Sequence, residues 1–282
     1  MSEPRSSSLD QFSIEVLPRF AKEAGNLQEF LPVGTRIYIP HIESASSRDV
    51  ADAAGRFRTA GFKAMPHVPA RAIKNKIELE EMLRTYQGEG VDEALVLAGE
   101  RTSQAGEFRD SLDLLETGSF ERFSFKRLHF AGHPEGNPAV KPGMASVTPD
   151  EALARKQAYV EATSIDSAIV TQFVFDAKPV IEWSRHLRFM GIRIPVHMGL
   201  AGPAQLGTLI KYAVMCGIGP SLNILKNRAK DVTKLLTTVD PAPLLEEVER
   251  YASEGPESAI ETIHLFPFGG VMKTAKWVQN YR

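Results

Sequence analysis

The chain has one cysteine, Cys216, in 282 residues. A single thiol closes no intramolecular disulfide and builds no cysteine metal cluster. It ends the apolar stretch Tyr212-Ala213-Val214-Met215-Cys216, which reads as helix core. Charge of one sign is also lacking. The formal net charge is -2, which gives no bulk electrostatic case for nucleic acid. No run approaches the roughly 18 apolar residues of a membrane span. The first residues lead into polar Ser6-Ser7-Ser8 without an apolar signal region. The expectation is a soluble, cytoplasmic protein that contacts neither nucleic acid nor membrane. Phosphate and zinc fingerprints are missing as well. There is no G-x-x-x-x-G-K-[ST] and no H-E-x-x-H. Gly217-Ile218-Gly219 opens a G-x-G-x-x-G that fails at Leu222 and follows no strand.

What is present is alternation. Strand patterns are expected at 12–17, 36–42, 63–68, 94–98, 127–131, 168–175, 192–197 and 262–266, each followed by helix. Residues 94–98 are wholly apolar, as a strand covered on both faces should be. Thr148-Pro149-Asp150-Glu151 reads as a capping box with proline at the first helical position. Eight such units predict an α/β fold, a single (β/α)8 TIM-type barrel. Helices at 203–215 and about 221–236 form a helical insertion between strands 7 and 8. Residues 1–10 read as a disordered tail and 11–282 as one catalytic domain.

Polar residues recur where these runs end. His41, His67, His133, His197 and His264 do so, as do Glu15, Glu100 and Gln172. Ionisable groups at the C-terminal ends of barrel strands mark an active-site mouth. Glu15 stands within Phe12-Ser13-Ile14-Glu15-Val16-Leu17. A carboxyl in apolar surroundings is costly to ionise, which suits a general acid near neutral pH. The bland alternative is an ion-paired structural glutamate. Gln172 offers an amide to a heterocycle edge, with Phe173 and Phe175 as stacking or core residues. Arg155 and Lys156 follow the proline-rich loop after His133, where they could meet a diphosphate. His129 reads as structural, in the core or helix layer, and His186 as exposed on a helix.

These residues carry a resemblance. Residues 12–18 (Phe-Ser-Ile-Glu-Val-Leu-Pro) look like S-F-E-F-F-P-P of the methylenetetrahydrofolate reductase family, in its short bacterial form. Ala64-Met65-Pro66-His67 resembles its A-x-P-H, and Leu97-Ala98-Gly99-Glu100 stands where it has L-R-G-D. Residues 131–138 (Ala-Gly-His-Pro-Glu-Gly-Asn-Pro) are similar to A-x-Y-P-E-x-H-P, and Thr171-Gln172-Phe173-Val174-Phe175-Asp176 to T-Q-F-F-F-D. Ile263-His264-Leu265-Phe266 takes the place of F-H-F-Y. The order is kept over roughly residues 12–280.

The resemblance implies an FAD-dependent oxidoreductase of one-carbon metabolism, recharged by NADH or NADPH. It would interconvert 5,10-methylenetetrahydrofolate and 5-methyltetrahydrofolate, with Glu15 as general acid. Gln172, Glu100 and Phe173 would meet the folate. His67, Glu100, His133, Arg155 and Lys156 would line the flavin site, and a homo-oligomer is an implied partner state. The chain is a divergent member of that pattern. The family's aspartate is Glu100, its arginine Ala98 and its tyrosine His133. Three alternatives remain. One is a folate reductase that takes hydride directly from a nicotinamide. Another is a metal-dependent barrel hydrolase using the strand-end histidines, and the third a barrel that only binds its ligand.

Overall fold

The computed structural model describes Leu9 and residues 11–42, 45–99, 104–136, 147–218, 223, 225–226, 235–253, 255 and 258–281. Among the described residues there are ten strands: β1 (Ser13–Glu15), β2 (Arg36–Ile39), β3 (Lys63–Pro69), β4 (Glu93–Leu97), β5 (Arg127–Gly132), β6 (Asp166–Val174), β7 (Val196–Ala201), β8 (Ala204–Gln205), β9 (Thr238–Val239) and β10 (Ile260–Phe266). Eight of them close a barrel in the order β1-β10-β7-β6-β5-β4-β3-β2, every pairing parallel. The expected (β/α)8 barrel is therefore the fold.

Alternation along each strand separates two environments. Ile37 and Ile39 of β2, Ala94 and Val96 of β4, and Leu128 and Phe130 of β5 belong to the main apolar core between strands and helices. Tyr38, Met65, Leu95 and Val170 form a separate buried cluster inside the ring of strands. Helices cover the outside at Ser47–Thr59, Lys76–Gly88, Ser111–Glu116, Pro149–Thr163, Ala177–Phe189, Ala242–Ser253 and Val271–Tyr281. Their starts follow local chemistry. Ser46 and Asp49 form a reciprocal capping box, and so do Asp110 and Asp113. The Thr148 side chain accepts from Glu151 N, with Pro149 at the first helical position as expected.

The seventh strand corrects the sequence reading. It runs Val196–Ala201, not 192–197. Ile192 and Ile194 are buried, so the apolar run is real. However, these residues form a turn whose N–H groups at Arg193 and Ile194 donate to Gln157 Oε1 rather than to a strand. His197 thus moves from the end of the strand to its beginning. Between β7 and β10 the chain adds the helix Leu206–Met215 and a two-stranded antiparallel β8–β9 ribbon that the sequence did not announce. Most of the second expected helix of that insertion, near 221–236, lies outside the described residues. Leu9, in the stretch read as a tail, is fully buried in the core. Among the described residues no helix is long and apolar enough to cross a membrane.

Candidate functional site at the barrel mouth and bore

Inward-facing side chains build the site in layers. The N-terminal end of the barrel is an ion network. Arg36 Nε donates to Glu93 Oε2 at 2.6 Å, Arg127 Nε stands 3.7 Å from Glu93 Oε1, and Arg127 also pairs with Asp166. His197, now at the start of β7, meets Glu261 Oε2 at 3.2 Å.

Above this lies a polar middle layer where barrels more often hold branched aliphatics. Tyr38 is fully buried, and its hydroxyl makes a short hydrogen bond to His129 Nδ1. The His129 ring meets His197 edge-to-face at 4.9 Å, and the Tyr38 ring lies 4.3 Å from that of His264. Ser13 Oγ is 2.9 Å from His264 Nδ1. Burial drives His129 and His264 well below the ordinary histidine pKa, and lowers His197 too, so the imidazoles are neutral near pH 7. His129, read as structural from the sequence, lies buried in the bore.

The C-terminal mouth holds the candidate acid. Glu15 ends β1, and its Oε2 lies 3.8 Å from Nε2 of His67 on β3. The side chains are 23% and 12% exposed, so they face the mouth without being open to bulk water. Burial, with His41 nearby, lowers the His67 pKa to about 3. The two groups therefore meet as a carboxyl and a neutral imidazole, not as a strong ion pair.

Gln172 is positioned by a bulge. Between Val170 and Phe173, β6 places two residues opposite one of β7. Thr171 Oγ1 accepts from Gly199 N and donates to Gln172 O, each at 2.8 Å. Gln172 Oε1 accepts from Phe173 N at 3.1 Å, which orients the half-buried amide. Only glycine fits at 199. A Cβ there would lie 2.4 Å from Thr171 O and 2.8 Å from Gln172 C.

Phe173 itself is buried, its ring packed against Phe175, Phe266 and Phe268. It supports an aromatic wall whose half-buried members are Phe175, Phe266, Phe268 and Tyr212. Tyr212 stacks on Phe268 at 4.1 Å. Sequence reasoning named Phe173 and Phe175 but missed Tyr212 and Phe268, because one stands on the helix Leu206–Met215 and the other in the loop after β10. The run Phe266-Pro267-Phe268 was the available signal.

The basic pair splits. Arg155 is exposed and pairs with Glu151 one turn back, whereas Lys156 is buried with its ammonium 5.5 Å from the Phe130 ring. Burial lowers Lys156 to about 8, against the pull of Asp110. His133, just past β5, falls to about 4 through burial and the Lys156 charge. The structure thus brings Lys156 and His133 together and leaves Arg155 outside. Buried Arg71, also missed from sequence, ties the loops of this face by donating to the Arg109 and Gly99 carbonyls. Glu100 lies outside the described residues. Cys216 is half-buried, and His186 is on a helix surface bonded to Asp150.

The metal-hydrolase alternative draws its histidines from different levels of the barrel. His41 and His67 belong to the upper part of the barrel and His197 to its lower end. Among the described residues no three His, Cys, Asp or Glu side chains gather to hold a metal ion.

Fold and site together define a β/α barrel with a carboxyl–imidazole pair at its C-terminal mouth and a histidine-filled bore. No family model matches the chain. A solved structure described as an uncharacterized protein from Clostridium thermocellum that binds two copies of 5-methyl-5,6,7,8-tetrahydrofolic acid superposes with a TM-score of 0.58. The match covers 97% of this chain and 96% of that chain at 10% identity, a likeness of fold. A conserved protein of unknown function from Enterococcus faecalis gives a TM-score of 0.42 over 69% of this chain and 49% of that chain, at 12% identity.

Proposed function

We propose that the chain is a folate oxidoreductase that interconverts 5,10-methylenetetrahydrofolate and 5-methyltetrahydrofolate. The observation that carries this reading is the Glu15 carboxyl beside a neutral imidazole at the mouth of the barrel. A neighbour of the same fold that binds 5-methyltetrahydrofolate supports the substrate class.

In the reducing direction, Glu15 gives its proton to a folate nitrogen as the five-membered ring opens to an iminium. A hydride then adds to the exposed carbon and leaves a methyl group. One proton and one hydride are consumed in each turnover, and Glu15 is left as a carboxylate. Gln172, fixed by the β6 bulge, offers its amide to the edge of the pterin. The aromatic wall of Phe266 and Phe268 gives the ring a face to lie against.

The hydride would come from bound flavin in its reduced form, regenerated from FAD by NADH or NADPH. Lys156 and His133 fit part of that role. A buried ammonium with a lowered pKa is stabilised by an arriving anion, such as a diphosphate. Arg155, paired outward with Glu151, does not fit it. Direct transfer from a nicotinamide is the second reading, favoured by that incomplete cationic cradle.

The test is an absorbance spectrum with added FAD, followed by anaerobic addition of 5-methyltetrahydrofolate. A bound flavin that bleaches supports the first reading. Folate turnover with a nicotinamide and no flavin uptake selects the second. Absence of both folate binding and turnover overturns the proposal.

A further inference from the structure

We propose that the barrel bore is a proton path. It runs from Glu261 at the N-terminal end through His197, His129, Tyr38, Ser13 and His264, and delivers to the His67–Glu15 pair the proton that Glu15 spends. This rests on the reading of Glu15 as proton donor. The need arises from the site itself. A ligand seated over the C-terminal mouth separates Glu15 from bulk water, while the side chain of Glu261 at the other end is 62% exposed.

Most links are direct contacts. Glu261 Oε2 meets His197 Nε2 at 3.2 Å. The His197 and His129 rings stand 4.9 Å apart, and His129 Nδ1 is bonded to the Tyr38 hydroxyl. Ser13 lies beside the Tyr38 hydroxyl, and its Oγ is 2.9 Å from His264 Nδ1. The Tyr38 and His67 rings are 6.4 Å apart, and His67 Nε2 is 3.8 Å from Glu15.

Among the described residues, His197 Nδ1, His129 Nε2 and His67 Nε2 are buried and have no hydrogen-bond partner. A buried polar atom that nothing satisfies is costly. His197 Nδ1 and His129 Nε2 belong to the two rings that no direct bond joins, and His67 Nε2 faces Glu15 across 3.8 Å; among the described residues the step from His264 to His67 is a further gap. A bridging water, which both donates and accepts, completes the path at each gap.

The chemistry balances without a charged intermediate. A neutral imidazole carries one N–H and one bare nitrogen. It takes a proton on the bare nitrogen and releases the other, ending as the opposite tautomer. Tyr38 and Ser13 each accept on oxygen and release their own hydroxyl proton. One proton enters from solvent at Glu261, and one leaves His67 for the Glu15 carboxylate. Ring rotation or a return shift then restores the tautomers. Burial that keeps these rings neutral favours such a concerted shift over a stored imidazolium. A purely structural filling of the bore needs no such run of donors and acceptors.

The test has two arms. In protein labelled with nitrogen-15 histidine, the ring N–H of fully buried His129 should exchange with water on the millisecond scale. A sharp, slowly exchanging ring N–H signal would overturn the path, whatever the substrate proves to be. In the second arm, Tyr38→Phe removes one hydroxyl and keeps the ring. Its first turnover of methylenetetrahydrofolate should match the parent, since Glu15 arrives protonated. Later turnovers in dilute buffer should slow about tenfold or more, with recovery on adding imidazole. Equal loss in first and later turnovers, or no loss at all, overturns the path. Ser13→Ala makes the same cut if Tyr38→Phe fails to fold. Glu15→Gln that still turns over removes the reading of Glu15 instead, and the exchange arm still judges the bore.

Discussion

Glu15 Oε2 and His67 Nε2 face each other at 3.8 Å across β2, from the C-terminal end of β1 and the middle of β3. Because burial holds the imidazole neutral, the two groups do not form an ion pair near pH 7. The pair is suited to a carboxyl that gives and regains a proton. Glu15→Gln should therefore keep folate affinity and lose about 10²–10⁴-fold of the reduction rate. Stopped-flow measurement of the folate step checks this, and near-normal turnover would remove Glu15 from the acid role.

The neutral histidines set the acid stability. His67, His129, His133, His197 and His264 all have folded pKa values below the unfolded value of about 6.5. As pH falls below 6.5 the unfolded chain gains protons that the folded chain refuses. Stability is complete above that pH and drains away below it. Each refused proton contributes a slope of about 1.4 kcal/mol per pH unit. Denaturant titrations between pH 6.5 and 4.5 should show a slope of several protons. A flat profile there would mean that the bore already accepts protons when folded.

Gly199→Ala tests the bulge that carries Gln172. The new Cβ would press on the backbone of Thr171 and Gln172, which has no flexible end to yield. A loss of about 1–3 kcal/mol is expected, as for other overpacked sites. Folate affinity should fall with it, since the Gln172 amide moves. Unfolding curves paired with a folate titration decide the matter, and unchanged affinity would detach Gln172 from the ligand.

Lys156 and Arg155 should separate cleanly. Arg155→Ala removes an exposed ion pair and should change stability by no more than about 0.5 kcal/mol. Lys156→Met keeps the buried stem, removes a costly charge and should abolish binding of an anionic cofactor. In the parent chain that affinity should decline as pH rises past about 8, where Lys156 loses its proton. Unfolding curves read the first, and calorimetric titration with FAD reads the other two. Equal weakening by both variants would mean that the cationic cradle is shared after all.

The strand-helix alternation was legible because parallel strands covered on both faces read as short apolar runs. Seven of the eight expected barrel strands lie where the sequence put them, within a few residues. The seventh slipped because Ile192 and Ile194 are as buried as strand residues while their N–H groups are taken by Gln157. That hydrogen bond spans 36 positions, and no local pattern signals it. The same slip misplaced His197.

At the site, Glu15, His67 and Gln172 could be read from sequence, since each interrupts an apolar run. That His67 is the partner of Glu15 could not be read, nor that Lys156 turns inward while Arg155 turns out. The sequence by itself determined the barrel, because period-2 burial and helix caps are local properties of neighbouring residues. Only the tertiary structure decided that Tyr38, His129, His197 and His264 share one bore. Strand register and barrel closure alone bring residues separated by as many as 226 positions into ring contact.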